Sequence, residues 1–185
     1  MSARSDAGPA ATMARIPALR RLVDLQDDLD DGFFAAAQRT LRELIADPAL
    51  LAALPPADAG GFARRLLYTD PNERFGIWAL SWPPGWRTPI HNHHCACAFA
   101  VCRGRIEEVL YAAGPGAGAV EETARALRPS GYVGGAARES GIVHGMGNRG
   151  ADMALSIHLY AYQPDRHADS IDRCFDIRPE LQDRR

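Results

Sequence analysis

Three histidines and two cysteines fall within the twelve residues "TPIHNHHCACAF", Thr88 to Phe99. Imidazole and thiolate are side chains that bind transition metals through nitrogen and sulfur. His91 and His93 are two apart, and residues i and i+2 of a β-strand point to one face, so these two can share one ion. His94 points to the opposite face and reads as a surface or supporting group. A third ligand must come from elsewhere, the candidates being His144 in "SGIVHGMGN", His158 in "SIHLY", His94 and the cysteines. Ser156, His158 and Tyr160 are again spaced by two, which on a strand gives a hydrogen-bonded row on one face.

The remaining thiols and indoles read as packing groups. Tetrahedral zinc sites usually draw on two well-spaced pairs, and Cys95-x-Cys97 with a lone Cys102 is not that pattern. Cys95 and Cys102 are therefore expected as small core residues. Trp78, Trp82 and Trp86 recur every four residues, which on a strand marks one buried face.

Such a site needs strands to carry it, and the chain supplies them. After "LPPADAGG" come short β-rich runs punctuated by Gly and Pro: "RLLYT", "RFGIWALSW", "CAFAVC", "RIEEVLY", "GYVGG" and "MALSIHLYAY". These predict an all-β domain of seven or more strands over residues 61–185, with "AAGPGAGA" as a hairpin loop. Ahead of it, Ile16, Leu19 and Val23, then Phe34, Ala37, Leu41 and Leu44, recur at helical spacing, predicting two or three amphipathic helices within 15–60. Residues 1–14, small and polar, offer little apolar surface to offset ordering entropy and are expected to form a disordered tail.

The 185 residues suit one domain with a sizeable core, not two. The 21 basic and 23 acidic residues give a net charge of −2 with no basic run, so neither a nucleic-acid nor a membrane partner is expected. No apolar stretch approaches a membrane span, and the N-terminus lacks the order of a signal peptide, which points to the cytoplasm. Four cysteines are too few and too clustered for a disulfide framework. A monomer or small homo-oligomer acting on a small molecule fits this composition.

Gly85, five residues, His91-Asn92-His93 and then Gly104 resemble the first cupin motif, and His144 with the later Asn148 resembles the second. Within the cupins, "SWPPGWRTPIHNH", "IVHGMGN" and "SIHLY" resemble the cysteine dioxygenase type of thiol dioxygenase, over about Arg65 to Tyr160. The resemblance implies a double-stranded β-helix, or jelly-roll, barrel with helices packed on it. Cupins commonly have a Glu ligand seven residues before the closing glycine, where this chain has Cys97. The implied site is therefore Fe(II) on three neutral histidines, His91, His93 and His144, with positions left open for a thiolate and dioxygen. The implied reaction adds both oxygen atoms to sulfur, giving a sulfinic acid.

The resemblance also assigns roles. Ser156 and His158 orient Tyr160, whose hydroxyl donates to oxygen or to the substrate carboxylate. Some members crosslink that tyrosine to a cysteine at the position of Cys97, so a Cys97–Tyr160 thioether is allowed. Cysteine dioxygenases proper hold the carboxylate with an arginine on an early strand, where "LLYTDP" places Tyr68 or Asp70. "YTDPNERF" followed by "TPIHNH" is closer to the mercaptopropionate dioxygenase branch, in which an arginine after the Ser-His-Tyr strand takes that role. Arg173 is the first candidate and Arg166 the second, with Tyr68 as a further substrate contact.

Two rival readings remain. One is a metal-binding cupin that senses or sequesters a small ligand without turnover. The other is a cupin isomerase or hydrolase on zinc or manganese, against which the missing Glu ligand counts.

Overall fold

The computed structural model describes residues 13, 16–25, 31–54, 61–113, 119–162 and 169–177. Among the described residues, three α-helices, α1 (Pro17–Asp24), α2 (Asp31–Ala46) and α3 (Pro48–Ala53), precede ten strands. The strands are β1 (Ala63–Thr69), β2 (Gly76–Trp82), β3 (Ile90–His93), β4 (Cys97–Arg103), β5 (Arg105–Ala113), β6 (Ala119–Pro129), β7 (Val133–Ala136), β8 (Val143–Gly147), β9 (Ala154–Tyr160) and β10 (Ile171–Ile177). They form two five-stranded sheets, β1-β2-β9-β4-β7 and β10-β3-β8-β5-β6, the second closed by a short parallel pairing of β10 with β6. This is the cupin barrel with N-terminal helices.

β2 and β9, inside the first sheet, are buried along their whole length on both faces, which explains why they are mostly apolar. Ile77, Ala79, Ala98, Ala100, Leu155, Ile157 and Leu159 face the helices. Trp78, Leu80, Trp82, Cys97, Phe99, Val101 and Tyr160 face the barrel interior. The period of two along β9 therefore sends Leu155, Ile157 and Leu159 one way and Ser156, His158 and Tyr160 the other.

In α2, Phe33, Ala37, Leu41 and Leu44 are the buried stripe. Phe33 takes the place expected for Phe34 because its ring packs on Phe75, centroids 5.6 Å apart. α3 is capped by Asp47, whose side chain accepts from the Ala49 and Leu50 amides ahead of Pro48. Met13 is fully buried in the helical core, so packing reaches back into the segment expected to be disordered. The rest of that tail lies outside the described residues, and among the described residues no helix is long and apolar enough to cross a membrane.

The two motif glycines have different reasons for their places. Gly85 (φ 77°) and Gly104 (φ 74°) both sit in the left-handed region. A Cβ on Gly104 would in addition come 3.0 Å from the Ala154 Cβ. Asn148 ties down the end of β8, donating to the Trp82 and Asp152 carbonyls at 2.8 and 2.7 Å.

Candidate metal centre

β3 and β8 pair antiparallel with His91 opposite His144, and His93 follows two residues on along the same face. All three imidazoles thus point into the barrel, each offering a ring nitrogen, and these nitrogens lie within 4.8 Å of one another. His93 Nε2 and His144 Nε2 are 3.0 Å apart. Two nitrogens each about 2.1 Å from one ion and roughly at right angles around it are separated by about this distance.

The outward nitrogens are all engaged. His91 Nδ1 donates to the Pro89 carbonyl at 2.9 Å, and His93 Nδ1 to the Ser170 carbonyl and hydroxyl at 3.2 and 3.1 Å. His144 Nδ1 donates to Glu108 Oε1 at 3.1 Å. With the Nδ1 protons spent there, the lone pairs of three Nε2 atoms converge in a buried space, an arrangement that a cation relieves. Burial, then the neighbouring His144, lowers His91 to about 4 and His93 to about 2, so both are neutral ligands at ordinary pH.

Glu108 is the carboxylate of this centre, yet it is no ligand: it sits behind His144. Arg128 grips its other oxygen with Nε at 2.9 Å and Nη2 at 2.8 Å. Burial by itself would raise the Glu108 carboxyl, but hydrogen bonds from His144 and Arg128 outweigh it and hold it below the usual carboxylate range.

Beside the histidines runs the β9 row. Ser156 Oγ is 2.8 Å from His158 Nε2, and His158 Nδ1 is 3.1 Å from the Tyr160 hydroxyl. Phe99, opposite His158 in β4, stacks on its ring with centroids 5.4 Å apart. Burial lowers His158 to about 3, keeping it neutral. Burial raises the Tyr160 phenol well above its ordinary range, so it remains a proton donor. Its ring centroid is 5.8 Å from that of His93.

Cys97 lies directly opposite Tyr160 across the β4–β9 ladder. Burial raises the Cys97 thiol well above its ordinary value. Cys95 is also buried, as a packing residue should be.

The two residues expected to hold a carboxylate are not brought here, and in each case a β-bulge is the cause. In β1 the register shifts between Leu66 and Tyr68, so Tyr68 pairs with helix-facing Ile77 and packs against Phe75, away from the histidines. In β10 it shifts between Ile171 and Arg173. Arg173 then pairs with Asn92 instead of His91 and is exposed, its guanidinium over Phe175. Asp70 is buried in an ion pair with Arg74, at 2.8 Å, which in turn bonds the Val23 carbonyl at the end of α1. Arg166 lies outside the described residues.

Residues the sequence reading missed take their places. Arg64 of β1 pairs with inward-facing Leu80, and its guanidinium lies 4.6 Å from the Trp78 ring centroid and 5.2 Å from that of Tyr160. It also donates to the Tyr162 hydroxyl. Trp82, Glu108, Arg128 and Ser170 were equally unmarked as parts of a site, since each acts across strands far apart in sequence.

Similarity to known proteins follows the barrel. The TT1209 protein of Thermus thermophilus shares 21% identity, with 60% of this chain and 93% of that one covered at a TM-score of 0.46. An RmlC-like cupin family protein with a double-stranded β-helix fold from Methanocaldococcus jannaschii shares 15%, covering 60% and 90%, also at 0.46. A Cupin 2 conserved barrel domain protein from Salinispora arenicola shares 21%, covering 59% and 82% at 0.42. Cysteine dioxygenase type I, as a family, matches residues 45–173. That match runs from the end of α2 into β10 and takes in well over half of the 185 residues, so the chain belongs to the cysteine dioxygenase type I family.

Proposed function

We propose that this chain is a non-haem iron(II) thiol dioxygenase that oxidises a small thiol carboxylate, such as cysteine or 3-mercaptopropionate, to its sulfinic acid. The reaction consumes one thiol and one O2 and incorporates both oxygen atoms at sulfur. The observation that carries the reading is the convergence of three imidazoles, with no carboxylate ligand among the described residues, beside a buried protonated phenol.

Fe(II), held by His91, His93 and His144, would supply vacant positions at which a thiolate and dioxygen meet. The chain's own residues do the rest. Pro89, Ser170 and Glu108 fix the three rings through their Nδ1 protons. Trp78, Trp82 and Phe99 wall the interior against water. Tyr160 presents a hydroxyl proton to the reacting groups, and His158 orients it through Nδ1. Arg64 is the cation disposed to bind the carboxylate, since its guanidinium already lies over the Tyr160 ring. It takes the role first expected of Arg173.

The Cys97–Tyr160 thioether belongs to this proposal, supported by the cross-strand pairing of the two residues. Its formation removes the thiol hydrogen and one ring hydrogen ortho to the hydroxyl, with O2 reduced to hydrogen peroxide. Intact-mass measurement after aerobic turnover would show the loss of two hydrogens. The proposal is completed by a monomer or small homo-oligomer in the cytoplasm, with no nucleic-acid or membrane partner. The net charge of −2 and four free cysteines support it.

Oxygen-uptake measurements on iron-loaded protein with cysteine, 3-mercaptopropionate, mercaptosuccinate and cysteamine test the reading. Oxygen consumption with a carboxylate-bearing thiol and sulfinate as product is expected. Thiol binding without oxygen consumption across the whole panel would instead favour a metal-binding cupin that senses its ligand.

A further inference from the structure

The row formed by Ser156, His158 and Tyr160 does not begin at Ser156. The Trp82 indole N–H donates to Ser156 Oγ at 2.8 Å, and both side chains are enclosed, at 1% and 0% exposure. An indole nitrogen can only donate. It therefore fills one lone pair of the hydroxyl and constrains every bond that follows.

Ser156 has one proton to place. Its other hydrogen-bond partner among the described residues is His158 Nε2, at 2.8 Å. If that nitrogen carried a proton, Ser156 would accept from both neighbours and its own hydrogen would be left unbonded in a dry interior, which proteins avoid. The hydroxyl therefore donates to Nε2. A neutral ring then has its proton on Nδ1, which donates to the Tyr160 hydroxyl at 3.1 Å. Having accepted there, the phenol keeps its own proton for a partner other than His158. The phenol stands beside the metal centre, its ring centroid 5.8 Å from that of His93.

We propose that Trp82 is a positioning residue that sets the direction of this row. It holds His158 as the Nδ1–H tautomer and so leaves the Tyr160 hydroxyl proton turned toward the three-histidine centre. With the opposite direction, Tyr160 would donate to His158 Nδ1 and would have no proton to offer the reacting groups. The catalytic consequence rests on the thiol dioxygenase reading; the tautomer does not.

The test is nuclear magnetic resonance of full-length protein labelled with 15N-histidine and loaded with diamagnetic zinc. His158 is assigned by the signal lost in His158→Gln. The expected result is a protonated Nδ1 and an unprotonated Nε2. A wild-type His158 protonated on Nε2 overturns the proposal without any variant being needed. Trp82→Phe keeps an aromatic ring and removes the donor, and it should shift the ring toward Nε2–H; Ser156→Ala, which cuts the same link at less cost in packing, should abolish the Nδ1–H preference too. An unchanged tautomer in either folded variant also overturns it. In turnover, Trp82→Phe should lower kcat about ten-fold with KM unchanged, and should add nothing in a Tyr160→Phe background. Inactivity of the wild type toward every thiol would remove the dioxygenase reading and leave the tautomer result standing.

Discussion

Glu108 Oε1 lies 3.1 Å from His144 Nδ1, on the side of the imidazole away from the other two histidines. A carboxylate in this barrel thus supports a ligand in place of being one. An anion behind the ring raises the basicity of the nitrogen in front and fixes the tautomer. Arg128 balances the charge and holds the carboxylate's other oxygen.

Glu108→Gln retains the size of the side chain and removes its charge. Metal affinity, measured by Co(II) titration, should fall about 10- to 100-fold. An affinity equal to that of the wild type would take Glu108 out of the metal centre.

His91→Ala, His93→Ala and His144→Ala should each abolish retention of one equivalent of Fe(II), as read by elemental analysis. The barrel should stay folded by circular dichroism, because the apolar clusters on both faces of the first sheet do not depend on the ion. A variant retaining stoichiometric iron would contradict the assignment of that ligand.

Tyr160→Phe should bind iron normally and turn over roughly 10²-fold more slowly, the usual cost of losing a positioned proton donor. Full activity would exclude the phenol from the reaction.

Arg64→Ala should raise KM for carboxylate-bearing thiols about 10- to 100-fold, the scale of a charge-assisted hydrogen bond. It should leave cysteamine, which lacks the carboxylate, unaffected. Arg173→Ala should change neither, because that side chain is exposed over Phe175.

Metal-free protein should lose stability as pH falls below about 6.5. His158, at about 3 when folded, binds no proton where its unfolded counterpart already does. The unfolded state therefore holds more protons between about pH 3 and 6.5, and unfolding free energy must rise with pH there. His158→Gln should flatten that slope in urea titrations, whatever it does to stability at pH 7. An unaltered slope would show that this histidine is not buried neutral.

The period-two features were legible without coordinates. His91 with His93, and Ser156 with His158 and Tyr160, follow from strand geometry, which is local and survives any arrangement of the sheets. The apolar texture of β2, β4 and β9 likewise predicted a β domain behind amphipathic helices. That Cys97 faces Tyr160 required the β4–β9 register. The links from Trp82 to Ser156 and from Glu108 to His144, 74 and 36 residues apart, exist only once strands are paired.

The sharpest divide between sequence and tertiary structure falls at Tyr68 and Arg173. Unbroken pairing would have placed Arg173 opposite His91 and kept Tyr68 on the inward face shared by Leu66 and Trp78. One extra residue in each strand reverses the facing of everything beyond it, so Cys174 stands opposite His91 and Tyr68 turns to the helices. Residue types and spacing thus determined the His91–His93 pair and the phenol row, while His144 joined them through the pairing of β3 with β8. That Tyr68 and Arg173 do not reach them was decided by two bulges, because the side of a sheet on which a residue lies depends on counting pairs between strands.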